Sequence, residues 1–269
     1  MALLPRPHLN AEGTMSFLEH LEELRRRILW SLGVLVLATG LGFWLATAFD
    51  VIGFLTRPVL PYLGEHRLAY LHPTEPFMVT LKVGVFLGVM MGLPVLFWHF
   101  WRFVAPGLLE KEKKVFLPAL FASVALFVLG AAFAFYVAMP LALRFFLSFG
   151  GETLQPVITI NEYFTFAIRM TLMFGAVFEM PLVILALTWA GVLSPALLKK
   201  YRRHAIVGLA IIAAVLTPAD VFSMIVMLVP MYLLFELSVA GASLVERRRN
   251  RKDAIQPTEE ADGLEPSDA

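Results

Sequence analysis

The 269-residue sequence contains no cysteine. This absence excludes a disulfide framework, a Cys-ligated zinc site, thiolate catalysis and a Cys-held iron–sulfur cluster. The sequence also lacks the GxSxG, HExxH, Walker phosphate-loop and GxGxxG patterns, and its six histidines are scattered. A hydrolase or an ATPase would normally show such machinery. We therefore expect no enzymatic activity, no cofactor and no metal site.

Charged residues are also scarce. They make up 16% of the chain, whereas hydrophobic residues make up 59%, with 23 phenylalanines and a mean hydropathy of +0.75. An ordinary soluble domain carries about a quarter charged residues. The composition therefore indicates a protein embedded in the lipid bilayer, and we expect no nucleic-acid partner.

Four apolar segments are long enough to cross a bilayer as helices. Residues 28–49 are a run of 22 without a charge, which at about 1.5 Å per residue spans the roughly 30 Å hydrocarbon core. The run directly follows Arg25 to Arg27 and is too long for a cleavable signal peptide, so it is predicted to be an uncleaved first span. The other three segments are residues 77–101, 115–143 and 163–193.

Residues 205–245 form a further apolar stretch that is too long for one span, since 41 residues would make a helix of about 60 Å. Pro218 and Asp220 lie inside it, and both are unfavourable in the middle of a membrane helix. A hairpin broken at residues 217–220 resolves the conflict. It predicts a short fifth span, with 12 apolar residues before the turn, and a short sixth span, with 15 between the turn and Glu236.

The basic residues predict the orientation. With six spans, 17 of the 22 lysines and arginines fall on one side of the membrane, whereas residues 253–269 hold six acids and no base. Basic loops stay cytoplasmic, so both termini are predicted to be inside. The predicted all-α organisation is an N-terminal extension 1–14, a six-helix membrane domain 15–246 and a basic, then acidic, disordered cytoplasmic tail 247–269.

Four polar residues in or near the spans are candidates for function. Glu179 lies near the middle of its predicted span, where an uncompensated charge costs about 3 kcal/mol, so it must be protonated, paired or in contact with water. Lys82 and Arg169 lie nearer the ends of their spans, so their long side chains can reach the membrane–water interface. Asp220, in the predicted turn, either caps the following helix or has a functional role.

Three glycines of the second predicted span share one helix face. Gly84, Gly88 and Gly92 follow a GxxxGxxxG pattern, which favours close helix approach within the chain, ahead of a kink at Pro94.

Acidic residues interrupt the basic side. Glu23 and Glu110 stand four residues before Arg27 and Lys114, a spacing typical of weak ion pairs along one helix. The alternative is a carboxylate pocket for a cationic ligand. A guanidinium would be the preferred ligand, because it is always charged and binds carboxylates in a bidentate manner.

Four motifs, in order along the chain, resemble the TatC family, the multispanning receptor subunit of the twin-arginine protein translocase. The resemblance covers residues 15–246 and is specific because all four motifs occur on six predicted spans. The motifs are His20-Leu21-Glu22-Glu23-Leu24-Arg25, Phe103-Val104-Ala105-Pro106-Gly107-Leu108 with Glu112, Phe178-Glu179-Met180-Pro181, and Leu216-Thr217-Pro218-Ala219-Asp220-Val221-Phe222-Ser223.

The resemblance implies a cup-shaped six-helix bundle in the cytoplasmic membrane. It implies a protein that binds the twin-arginine signal peptides of folded cargo proteins and uses the proton-motive force. The implied partners are TatA- and TatB-type single-span proteins and further TatC copies.

The resemblance also assigns two groups of site residues by position. The first group binds the signal peptide at the cytoplasmic face and comprises Glu23, Arg25, Phe103 and Glu112. The second group lies on the concave face and in the outer loops and comprises Pro58, Glu179 and Asp220.

Two other functions fit the residues if the resemblance is set aside. A proton-coupled secondary transporter of a small solute would use Glu179 as its relay, although no internal repeat supports one. A purely structural membrane scaffold would tolerate the loss of both Glu112 and Glu179. Binding of a twin-arginine peptide, weakened when lysines replace the arginine pair, would separate the three functions.

Overall fold

The computed structural model describes residues 17–63, 67–104, 116–148, 157–189, 191–216 and 221–253. Within these ranges the regular structure is helical, apart from one isolated bridge between Ala69 and Thr159. The all-α prediction is therefore confirmed. The predicted extension 1–14 and the chain after residue 253 lie outside the described residues.

Eleven helices and one π-helical turn lie in these ranges. They are α1 (Phe17–Ala48), α2 (Val51–Thr56), α3 (Leu60–Leu63), α4 (Glu75–Val104), α5 (Phe116–Phe133), the π-helical turn Ala134–Ala138, α6 (Met139–Ser148), α7 (Ile160–Phe178), α8 (Met180–Trp189), α9 (Pro195–Lys200), α10 (Arg202–Leu216) and α11 (Val221–Asp253).

In the part of the chain that the structure describes, five segments are long and apolar enough to cross a membrane. The first four correspond to the four spans predicted from the sequence, which are thus confirmed as helices of spanning length. The five segments are Leu21–Ala48, Glu75–Phe103, Leu117–Ser148, Ile160–Trp189 and Met224–Arg247.

The two helices of the predicted hairpin differ in length. α10 has 15 residues, about 22 Å, and is shorter than the hydrocarbon core, as predicted. α11 has 33 residues and continues past Glu236 to Asp253, so the prediction of a short sixth span is wrong. α11 also includes residues 247–253, which the sequence assigns to the disordered tail. The predicted turn at residues 217–220 lies outside the described residues.

α11 continues past Glu236 because the side chain of Glu236 has polar partners. Its carboxylate accepts hydrogen bonds from Arg202 Nη2 at 2.7 Å and from the Tyr232 hydroxyl at 3.0 Å. Because a paired carboxylate costs much less in an apolar helix than an isolated one, it does not end the span. The same ion pair joins α10 to α11.

Two prolines interrupt the regular backbone hydrogen bonding of the helices in which they lie. The π-helical turn Ala134–Ala138 ends two residues before Pro140, which has no N–H to donate. α7 ends at Phe178 and α8 begins at Met180, so the break falls just before Pro181. Glu179 lies at this corner, and its N–H donates to the Ala176 carbonyl at 3.2 Å.

α1 packs antiparallel on α4, with the two backbones in direct contact. A Cβ at Gly84 would lie 2.9 Å from Phe43 Cα, and a Cβ at Gly88 would lie 2.7 Å from Thr39 Cα. The predicted packing role is confirmed for these two glycines. A Cβ at Gly92 would meet only Leu96 of its own helix, at 4.0 Å, so Gly92 does not belong to the contact.

The antiparallel pair defines two ends of the bundle. At one, the basic end, lie the N-terminal part of α1 with Arg25 to Arg27 and the C-terminal part of α4 with Arg102. At the other, the far end, α1 ends and α4 begins. There α2 is tied to α7, because the Tyr163 hydroxyl donates to the Leu55 carbonyl at 2.6 Å.

A second close crossing joins α5 to α7. A Cβ at Gly130 would lie 2.6 Å from the Phe174 carbonyl oxygen, and a Cβ at Gly175 would lie 2.5 Å from the Phe127 ring. This crossing brings α5 close to the corner that carries Glu179.

Candidate functional site

The carboxylate of Glu23 lies at the basic end, and the side chain is only 9% exposed. Arg27 Nη2 donates to Glu23 Oε1, and Arg27 Nη1 donates to the backbone carbonyl of His99 on α4 at 3.1 Å. The predicted ion pair along one helix is therefore present for Glu23 and Arg27. The guanidinium also joins α1 to α4, so Glu23 is held at the junction of two spans.

The other residues assigned to signal-peptide binding are distributed differently. Arg25 is exposed, while Phe103 on α4 is half-buried and lines the same groove as Arg27. Glu112 lies outside the described residues. A site shared by Glu23 and Glu112 therefore stays a prediction.

A groove of about 350 Å³ opens between α1 and α4 at the basic end. We call it the α1/α4 groove. Polar groups are few along it, so it presents a mainly apolar surface. Its lining consists of Arg27, Ser31 and His99 together with the apolar residues Leu24, Ile28, Leu32, Leu35, Leu96, Phe100 and Phe103.

Glu179 is half-buried at the corner between α7 and α8. Its carboxyl group is within hydrogen-bonding reach of the Ser123 side chain and the Phe127 backbone, both on α5. Ser123 in turn accepts a hydrogen bond from Trp101 Nε1 at 2.8 Å. Glu179 Oε1 is buried and has no hydrogen-bond partner among the described residues. Such an oxygen can accept a donor from a ligand or a partner helix.

The sequence does not single out Trp101 or Ser123. Ser123 is a polar residue within an apolar span, which is a usable signal. The helix that it faces cannot be read from spacing along one chain, because the contact joins α4, α5 and the corner after α7.

We expect Ser123→Ala to lower the free energy of unfolding by about 1 kcal/mol. Trp101 and Ser123 are 3% and 1% exposed, so the indole N–H would lose its acceptor in a place that water does not reach. Unfolding in mixed detergent micelles measures the change. Ser148→Ala, at the exposed end of α6, is the control, and an equal loss in both variants would contradict the prediction.

The remaining assigned residues lie apart from these two places. Pro58 is buried between α2 and α3, beside the fully buried Val59, and Asp220 lies outside the described residues. The described site residues are thus found at the basic end, at the α7/α8 corner and at the far end. Among the described residues, no group of three or more His, Asp or Glu side chains could hold a metal ion.

Lys82 joins α4 to α7 near the far end. Its ammonium donates to Asn161 Oδ1 at 2.7 Å and to Thr165 Oγ1 at 2.8 Å. The lysine therefore has specific oxygen partners inside the protein, which the sequence does not reveal.

The double substitution Asn161→Leu with Thr165→Val is expected to cost about 2 kcal/mol of stability, because it leaves the ammonium in an apolar span without these acceptors. Adding Lys82→Met should restore much of the loss, since it removes the stranded charge. Unfolding in mixed micelles provides the measurement. If Lys82→Met gives no recovery, the ammonium is not the source of the cost.

The fold and these sites define a multi-pass α-helical membrane protein whose spans are joined by buried polar contacts. A family model described as "Sec-independent protein translocase protein (TatC)" matches residues 19–230. The chain belongs to the TatC family and is a membrane-embedded component of a protein translocase.

Individual relatives agree over most of the chain. The TatC protein of Desulforapulum autotrophicum is 37% identical over 254 residues, which cover 93% of this chain and 92% of that protein. The TatC protein of Aquifex aeolicus is 36% identical over 87% of this chain and 98% of its own length. A crystal structure of "Twin Arginine Translocase Receptor- TatC" superposes with a TM-score of 0.75 and 36% identity, covering 84% of this chain and 98% of that one.

These names are those of protein translocases. The comparisons therefore support the translocation function and give no support to the alternative of a small-solute transporter with Glu179 as its relay.

Proposed function

We propose that this chain recognises twin-arginine signal peptides at the cytoplasmic face, through Glu23 together with Glu112, Arg25 and Phe103. The supporting observation is that Glu23 already accepts a hydrogen bond from a guanidinium, that of Arg27. A mostly buried carboxylate in a charge-assisted hydrogen bond to arginine has the chemistry that a signal-peptide arginine requires. The solved relative is itself described as a twin-arginine translocase receptor.

Binding at Glu23 would then be an exchange of guanidinium groups. Leaving a buried carboxylate unpaired is costly, whereas replacing one guanidinium by another keeps it compensated. Arg27 would keep its hydrogen bond to the His99 carbonyl. We assign the second peptide arginine to Glu112.

The topology belongs to the same proposal. The protein has six spans in the cytoplasmic membrane, with α10 as the short fifth span and both termini in the cytoplasm. The packing of α10 on α11 and the ion pair of Arg202 with Glu236 support a hairpin of two membrane helices. The basic residues at the basic end support a cytoplasmic location for that end.

The bundle is cup-shaped in this proposal, with Glu179 on its concave face beside the apolar part of the bound peptide. Pro58 and Asp220 act at the outer side. TatA- and TatB-type single-span proteins and further TatC copies complete the complex, which uses the proton-motive force to move folded cargo. A buried oxygen of Glu179 has no hydrogen-bond partner among the described residues, which supports a role in accepting a hydrogen bond from such a helix.

Peptide binding by the detergent-solubilised protein tests the proposal. A fluorescent twin-arginine signal peptide is expected to bind, and replacing its two arginines by lysines should weaken binding at least about tenfold, because lysine cannot make the bidentate contact. Equal binding of the two peptides would contradict recognition of the arginine pair.

A further inference from the structure

One face of α7 stays exposed along the helix and carries an arginine. Glu162 and Arg169 are seven residues apart and both exposed, as is Ala176 a further seven residues on, so the three lie on one face. The guanidinium has five N–H donors, and it makes no hydrogen bond or ion pair with the residues that the structure describes. We propose that Arg169 and Lys82 form a site for a carboxylate on the membrane-spanning helix of a partner protein.

The two cations lie at a similar depth. α4 and α7 both begin at the far end, where the chain before α4 is hydrogen-bonded to the start of α7. Glu75 and Glu162 are the acidic residues in the first turns of these helices. Lys82 follows Glu75 by seven residues, and Arg169 follows Glu162 by the same number, which is about 10 Å along each helix. Both cations therefore enter the half of the membrane that adjoins the far end.

Lys82 already uses the nearest side-chain oxygens of α7. Its ammonium donates to Asn161 Oδ1 at 2.7 Å and to Thr165 Oγ1 at 2.8 Å. Thr165 lies one turn before Arg169 on the same side of the helix, and its hydroxyl also donates to the Asn161 carbonyl at 2.7 Å. That hydroxyl thus has both a donor and an acceptor before the guanidinium is considered. Among the described residues, no carboxylate pairs with either cation.

This arrangement favours a carboxylate that arrives within the membrane. An uncompensated charge is costly there, and a carboxylate offers arginine two acceptor oxygens. A spanning helix can present an acidic side chain at the level of Arg169, whereas a lipid phosphate stays at the interface, and the guanidinium would have to extend back toward the first turn to meet it.

The carboxylate belongs to the single-span partners of the proposed function, and the inference rests on that part of it. It does not depend on signal-peptide recognition, because the peptide arginines meet Glu23 at the basic end in that proposal. The two sites lie at opposite ends of the bundle, so a cationic peptide and an acidic partner helix do not compete for one place.

Helix association in phosphatidylcholine vesicles tests the proposal, with the full-length protein and a synthetic leucine–alanine spanning helix as the probe. The helix carries one glutamate seven residues from its end, and a second version carries glutamine there. At pH 8 a carboxyl beside two cations is ionised, and we expect the glutamate helix to associate at least about fivefold more tightly, measured by energy transfer between labels. Arg169→Gln should remove most of this preference, and Lys82→Met should reduce it.

Two further variants serve as controls. Arg144→Gln removes an exposed arginine from α6 and should leave the preference for the glutamate helix unchanged. Arg169→Lys keeps the charge and should keep part of the preference, which separates pairing with the carboxylate from an effect of the substitution on folding.

Equal association of the two helices, or equal effects of Arg169→Gln and Arg144→Gln, would overturn the proposal. So would a preference that disappears when phosphatidylglycerol is added to the vesicles, since Arg169 would then bind the lipid phosphate. The proposed function fails on a different measurement, because equal binding of the arginine and lysine signal peptides would contradict recognition by Glu23 and leave the helix preference to be judged on its own.

Discussion

Replacing Gly88 by leucine is expected to prevent the native packing of α1 on α4. A Cβ at this position would lie 2.7 Å from both the Cα and the N of Thr39, and backbone atoms cannot rotate away as a side chain can. Overpacking costs about 1–3 kcal/mol where side chains can adjust. Here a whole helix must move, so we expect a loss of about 3 kcal/mol or more in the free energy of unfolding.

The measurement is unfolding in mixed micelles together with the yield of folded protein from the membrane. Gly92→Leu is the matched control, because it makes the same change one helical turn away, where a Cβ meets only Leu96 at 4.0 Å. We expect that variant to lose clearly less stability than Gly88→Leu, because a Cβ at Gly92 does not meet the backbone of α1. If the two variants lose equal stability, the effect comes from leucine in α4 and not from the contact with α1.

This crossing also shows how far the sequence predicts the packing. The spacing of Gly84 and Gly88 predicts that one face of α4 is approached closely. It does not identify the partner, because more than one other segment has small residues at this spacing, among them Ala38, Gly42 and Ala46 on α1 and Gly130, Ala134 and Ala138 in the third span. The fold as a whole determines the partner helix, and a Cβ at Gly92, on the same face, would meet only Leu96 of α4 and not α1.

The error in the last span has a similar origin. Glu236 ends an apolar run in the sequence, and a single carboxylate in that position predicts a helix end. Its partner Arg202 lies 34 residues earlier, so the compensation is visible only once α10 and α11 are side by side. Hydropathy along one segment therefore underestimates the length of a span whose charge is paired by another.

In the candidate sites, too, contacts between residues close in the sequence can be predicted, whereas contacts between different segments cannot. The contact of Glu23 with Arg27 is predicted because both residues lie on one turn of one helix. The contacts of Glu179 with Ser123, and of Ser123 with Trp101, join three different segments. The sequence indicates that Glu179 needs a partner at mid-span, but the identity of that partner depends on the break before Pro181.

Reversing the charge of Glu23 is expected to abolish binding of a twin-arginine signal peptide. Glu23→Lys would place an ammonium beside the Arg27 guanidinium, so the carboxylate that accepts arginine becomes a cation that repels it. Losing one partner of a mostly buried charge pair typically costs 2 kcal/mol or more, so we expect at least about thirtyfold weaker binding. Glu112→Lys should act in the same direction if the two carboxylates read the two arginines.

Glu22→Lys is the control that separates a specific contact of Glu23 from the general charge of the basic end. It makes the same change in net charge at the adjacent position of α1, but Glu22 is exposed and lies on a different face of the helix. Peptide binding should therefore fall by no more than a few-fold, which is the share due to the general field of the basic end. If both lysine variants weaken binding equally, the peptide senses only the average charge. A large loss confined to Glu23→Lys, in protein that still unfolds cooperatively, would show a specific contact between this carboxylate and the arginine pair.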